Sequence, residues 1–123
     1  WSKIAAGNSH FIAIKTDGTL WAWGLSANGQ LGDGQIAVNR SSPVQIGTLT
    51  DWLSVYSGNF VSYAIKTDGT LWAWGYANVG QVGDGQIATS RSSPVQIGNL
   101  TNWINSTAVV KGGGAASHIV MIK

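Results

Sequence analysis

The 123-residue chain contains no cysteine, and its five acids are all aspartates, Asp17, Asp33, Asp51, Asp68 and Asp84, with no glutamate. Without cysteine there is no disulfide, no thiol nucleophile and no cysteine-ligated zinc. With two histidines besides, the ligands for a metal site run short. No apolar run approaches the roughly 18 residues that would cross a bilayer. Seven Lys and Arg against five Asp leave a net charge of +2. They are scattered singly, so the small basic surplus is not a patch that would grip nucleic acid.

What is there is glycine and tryptophan. Seventeen Gly and seven Trp occur in a chain that is 44% hydrophobic, too apolar to stay disordered. Frequent Gly, Ser, Thr, Val and Ile with no Glu make a poor helix former. The expected class is all-β.

The chain repeats itself. Trp1, Trp52 and Trp103 stand 51 residues apart, and 33 of the 51 positions paired between the first two units are identical. AIKTDGTLWAWG at Ala13 to Gly24 recurs at Ala64 to Gly75, and RSSPVQIG at Arg40 to Gly47 recurs at Arg91 to Gly98. This divides the chain into unit 1 (1–51), unit 2 (52–102) and a partial unit 3 (103–123). Unit 3 carries about six extra residues through Lys111 to Ala116, then re-enters the pattern at SHIVMIK. It stops before the next TDGTLWAWG, and the chain opens on Trp rather than Met, so the sequence reads as a piece of a longer array.

Each unit reads as four short antiparallel strands: Trp1 to Ala6, His10 to Lys15, Leu20 to Gly24, and a last strand opening at Pro43 and ending at Gly47. Asp17-Gly18 between alternating runs marks a tight hairpin. Four strands per unit, with aromatic and Gly markers at a fixed period, is the pattern of a propeller blade.

The segments AGNSHFIAIKTDGTLWAWG, NGQLGDG and SPVQIG resemble the regulator of chromosome condensation repeat family. That resemblance implies a β-propeller, usually of seven blades and about 360 residues, of which two full blades and the start of a third are present. The wording of the repeats is closer to bacterial and phage surface or virion proteins than to nuclear members. The remaining blades would come from the same longer chain or from other copies.

No residue set points to catalysis. Asp17 and Asp68 sit in hairpin turns, and Asp33 and Asp84 sit between glycines, where an aspartate bonds its own backbone. No Ser–His–Asp order and no phosphate-cradling loop before a helix occurs, so no cofactor is expected. The repeat accounts for every tryptophan: Trp1, Trp52 and Trp103 mark unit starts, and Trp21, Trp23, Trp72 and Trp74 form the WAWG pairs, filling the space between blades. His10 and His118 share one slot, filled in unit 2 by Val61, and read as structural. Lys15, Lys66, Arg40 and Arg91 read as neighbours of carbonyls or Asp side chains between blades.

Differences between the units concentrate in Ser9 to Ile12 against Phe60 to Tyr63, and in Leu25 to Asn28 against Tyr76 to Val79. Strand direction puts both stretches on one face, opposite the Asp17-Gly18 turn. Phe60, Tyr76, Asn78, Leu25 and Asn28 are therefore the candidate partner-binding residues, since loops on a rigid frame are where binding concentrates. The expected function is a non-catalytic structural and binding module meeting a protein or glycan, in a surface, virion or extracellular setting, with a cytoplasmic one left open. The alternatives are a regulatory propeller resembling the family's namesake, which promotes guanine nucleotide exchange, and a secreted protein inhibitor of an enzyme.

Overall fold

The computed structural model describes residues 1–77, 82–85, 90–103, 107–111 and 118–122. Four strands, β1 (Lys3–Ala6), β2 (His10–Ile14), β3 (Leu20–Gly24) and β4 (Arg40–Gln45), form an antiparallel sheet in chain order. A second sheet repeats it with β5 (Trp52–Ser57), β6 (Val61–Lys66), β7 (Leu71–Gly75) and β8 (Arg91–Gln96). In the third unit β9 (Thr107–Lys111) pairs with β10 (His118–Ile122). Each four-stranded sheet is a propeller blade.

The hairpins form where the sequence places them. Gly18 N donates to Lys15 O at 2.9 Å, and Gly18 itself takes a φ of 83°, a region that only glycine enters cheaply. Asp17 Oδ1 accepts from the amide and hydroxyl of Thr19 at 3.0 and 2.6 Å, and Thr19 Oγ1 in turn accepts from Trp21 Nε1 at 2.8 Å. Asp68, Thr70 and Trp72 repeat the chain of bonds. The Thr hydroxyl first, and its amide second, hold each aspartate below the usual carboxylate range.

The last strand differs from expectation. It begins at Arg40, three residues before Pro43, because Arg40 pairs with Gly24 through a bulge between Ala22 and Gly24. Pro43 thus lies inside β4 rather than at its start. It is tolerated because β4 is bonded on one side only.

The two blades pack face to face. Alternation sends Ile12, Ile14, Leu20 and Ala22 of blade 1 toward blade 2, where they meet Trp52, Val55, Ala64 and Trp74 in one buried cluster. Leu31 and Ile46 close it. β5 lies against both β1 and β2, as the inner strands of adjoining blades do. A second cluster, Val61, Tyr63, Ala73, Ala77 and Val82, forms on the other face of blade 2.

The tryptophans divide accordingly. Trp74 is fully buried and Trp52 nearly so, between the blades as expected. Trp1, Trp21 and Trp23 instead cluster on the outward face of blade 1, with centroids 5.8 to 6.0 Å from Trp1 to its neighbours, and Trp1 is 59% exposed. The positions of Trp1 and Trp23 are buried in blade 2, as Trp52 and Trp74, because only blade 2 has a blade in front of them, whereas Trp21 and Trp72 are half-buried alike.

Candidate functional site

The upper edge of each blade is made where the loop after its first strand meets the exit of its third. Leu25 N donates to Ser9 O at 2.8 Å, and Tyr76 N to Phe60 O at 2.9 Å. Glycine ends the third strand in both blades because the two loops leave no room. A Cβ on Gly24 would lie 2.5 Å from Ser9 O, one on Gly75 the same distance from Phe60 O, and φ is 107° and 110°. Asn8 N donates to Asn59 O at 3.1 Å, tying the neighbouring loops together across the blade junction.

On this edge Phe60 and Tyr76 stand edge to face, with centroids 6.4 Å apart and an interplanar angle of 64°. Both are half-buried, so each ring is fixed by its neighbour yet reaches solvent. Leu25 takes the place of Tyr76 in blade 1, opposite Ser9, and is half-buried too. Asn28 is half-buried, with its amide donating to Gln30 Oε1 at 2.8 Å. Asn78 lies outside the described residues. The structure thus places Phe60 and Tyr76 together and Leu25 at the matching point one blade away.

Half of the described positions in the two varying stretches lie beneath this surface, not on it. His10, Ile12, Val61, Ser62 and Tyr63 are all buried, as are Ser26 and Ala77. His10 Nε2 is 3.0 Å from both Ser57 Oγ and Ser62 Oγ of blade 2. Ser62 Oγ donates to Gln30 O at 2.7 Å, so its proton is spent there and the imidazole is the donor between them. Trp74 Nε1 donates to the same carbonyl at 2.9 Å. Among the described residues His10 Nδ1 finds no partner, and burial pushes the imidazole down to about 4. Sequence reasoning missed this junction because it read the exchange of Phe11 for Ser62 as surface variation. The signal was the simultaneous change at the next position, His10 for Val61.

The lysines are engaged differently from expectation, while the arginines do meet Asp side chains. Lys15 Nζ sits 5.2 Å from the centroid of Trp1 and 3.8 Å from that of Trp21. Lys66 sits over Trp52 and Trp72 at 5.0 and 4.2 Å. These are cation–π contacts within a blade, favoured because the ammonium meets the electron-rich ring face. Arg40 reaches Asp33 with Nη2 at 2.7 Å, and Arg91 reaches Asp84 with Nε at 2.6 Å, each anchoring its blade's own loop. A cleft of about 350 Å³ opens at the lower edge between the blades, walled by Asp33, Ile46, Leu49, Trp52 and Trp72. Its carboxylate already serves Arg40. Among the described residues no three His, Cys, Asp or Glu come together as metal ligands, and no helix is long and apolar enough to cross a membrane.

Comparison with known proteins gives the same architecture. Two family models described as the regulator of chromosome condensation (RCC1) repeat match, one over residues 1–30 and the other over residues 17–65 and 68–122. The chain belongs to the RCC1 repeat family. The matched RCC1 repeats begin at Asp17 and Asp68, in the hairpin turns, so the repeat is offset from the blade and each one spans two sheets. Among relatives, the chain is 33% identical over 121 residues to the human probable E3 ubiquitin-protein ligase HERC6, covering 97% of this chain and 12% of that protein. It is 36% identical over 86 residues to the regulator of chromosome condensation of Xenopus laevis, covering 70% of this chain and 20% of that protein. The solved structure of Prp20p from Saccharomyces cerevisiae superposes with a TM-score of 0.74 over 88% of this chain and 28% of Prp20p, at 22% identity, a likeness of fold. The RCC1 repeats described here therefore span a small part of each relative.

Proposed function

We propose that this propeller segment is a non-catalytic binding element of a larger bacterial or phage surface or virion protein, and that its upper edge meets a protein or glycan. The observation that carries the reading is the Phe60–Tyr76 pair, held edge to face on two loops whose backbones are bonded to each other. Aromatic rings fixed before binding offer large contact area at small entropic cost. Leu25 and Asn28 form the margin of the surface. Four of the seven cations speak against nucleic acid as the partner: Lys15 and Lys66 lie over indoles, and Arg40 and Arg91 are paired with aspartates. The setting rests on the wording of the repeats alone.

A second reading is a regulatory propeller. It is favoured by the likeness to the Xenopus regulator of chromosome condensation and to Prp20p, a protein described by its binding to Gsp1p and histones. One experiment separates the two. Phe60→Ala with Tyr76→Ala is compared with the unaltered chain on a glycan array, on whole bacterial cells and virions, and on an immobilised small GTPase. Binding to glycan, cell or virion that falls about tenfold or more in the double variant, with circular dichroism unchanged, supports the first reading. GTPase binding supports the second, and binding unaffected by the double substitution rejects the upper edge as the site.

A further inference from the structure

Units 1 and 2 share 33 of 51 positions, yet all 11 residues that wall the lower-edge cleft recur as the same letter one unit away. Gln45 and Leu49 of blade 1 recur as Gln96 and Leu100, and Trp72 and Ser93 of blade 2 have Trp21 and Ser42 as counterparts. Packing explains only part of this. Ile46 and Trp52 are buried, but Gln45 and Ser93 are exposed and Leu49 is 47% exposed. Their neighbours outside the wall do change: Thr48, beside Leu49, becomes Asn99, and Asp51, beside Trp52, becomes Asn102. The divergence between the units has passed beside the cleft and left its exposed wall intact.

We infer that this cleft is a binding site for an uncharged pyranose ring of a glycan. Its charge excludes an ionic ligand as the natural fit. Among the described residues of the wall Asp33 alone is charged, and Arg40 already holds it at 2.7 Å. Lys66, which lies over Trp72 at 4.2 Å, has the Asp68 carboxylate as an electrostatic partner. What remains is an aromatic surface with hydrogen-bonding groups beside it. Trp72 is half-buried and fixed in advance, with Nε1 donating to Thr70 Oγ1 at 2.9 Å and the lysine over its ring. A pyranose matches this pattern, having a patch of C–H bonds on one face and hydroxyls round its rim. The Ser93 hydroxyl, the Gln45 amide and the spare lone pairs of the Asp33 carboxylate line the same cleft as the indole. The volume, about 350 Å³, lies at the small end of ligand sites. An extended peptide is served less well, since Pro94 in the wall lends it no amide. Blade 1 supplies one wall and blade 2 the other, and each unit holds the letters of both. Successive junctions of such an array would repeat the cleft, and weak sites in series gain avidity. The cleft lies at the opposite edge from Phe60 and Tyr76 and does not rest on what the upper edge binds.

The test titrates the full chain with the methyl glycosides of glucose, galactose, mannose and N-acetylglucosamine, with sialic acid as the charged probe and decaproline as the peptide probe. Calorimetry and the indole N–H resonances in NMR read the binding. At least one neutral glycoside should bind in the millimolar range and shift the Trp72 indole resonance. Gln45→Ala or Ser93→Ala should weaken it about threefold and the two together about tenfold, with the urea midpoint unchanged because both side chains are exposed. No binding by any of the four glycosides, binding of sialic acid or decaproline alone, or glycoside binding that the double variant leaves intact overturns the inference. Phe60→Ala with Tyr76→Ala, run beside it, tells the two edges apart: glycoside binding lost there and kept in the cleft variant overturns the cleft and upholds the upper edge. If the cleft double variant does not fold, Leu49→Lys, at an exposed position of the same wall, must weaken binding likewise, and its failure to do so is equally decisive.

Discussion

The indole Nε1 of Trp74 donates to the main-chain carbonyl of Gln30 at 2.9 Å, across 44 residues of sequence and from one blade into the loop of the other. Trp23 holds the same repeat position in blade 1 and stacks on Phe11 instead, at 5.4 Å and 15°, on the outward face. The two tryptophans should therefore differ in cost. Trp74→Ala should destabilise by about 3–5 kcal/mol and Trp74→Phe, which removes the bond but keeps most of the bulk, by about 1–2 kcal/mol. Trp23→Ala should cost about 1–2 kcal/mol. Urea midpoints at constant m-value read all three.

His10 makes stability depend on pH in one direction. The imidazole is held near 4 by burial, below its ordinary value of 6.5. Between those values the unfolded chain binds a proton that the folded chain refuses, so stability falls as the pH falls from 6.5 toward 4 and the loss levels off below that. The full contribution is roughly 3 kcal/mol. His10→Val should flatten this part of the profile, and His118, common to both chains, cancels in the difference. Asp17 and Asp68 act lower on the scale, adding stability above the ordinary carboxylate value and losing it as pH falls through their depressed ones.

The Asp33–Arg40 pair should matter locally rather than globally. Asp33 Oδ1 also accepts from Gln35 N at 3.1 Å, so this one carboxylate shapes its loop and pins it to β4. Asp33→Asn keeps the shape and removes the charge. With Arg40 about one-third exposed, the expected cost is about 1–2 kcal/mol. Amide exchange in residues 34–39 should quicken while that of β2 and β3 stays as it was.

The fold was legible because its markers act locally. Asp17-Gly18 makes a hairpin wherever it occurs between alternating strands, and a 51-residue period of Trp and Gly reports blades. The start of β4 was not legible, since Arg40-Ser41-Ser42 has no strand signature and pairs only through the bulge opposite Ala22 and Gly24. The role of Lys15 and Lys66 was hidden for a similar reason: a lysine does not show in sequence which ring it will cover. For the candidate surface, chain direction alone brought Phe60 to Tyr76. It could not separate residues that vary because they face solvent from those, such as His10 and Ser62, that vary because they face different neighbours.

Pro43 and Pro94 are the chain's only prolines, and they occupy the same place in the last strands of the two blades. Ile46 N points at Leu20 O, and Ile97 N at Leu71 O, so by alternation the nitrogens of Pro43 and Pro94 face away from their sheets. Each perimeter strand therefore lacks a donor where a passing extended peptide would need one. These two rims are thereby poor templates for lateral growth into ribbons or amyloid-like stacks.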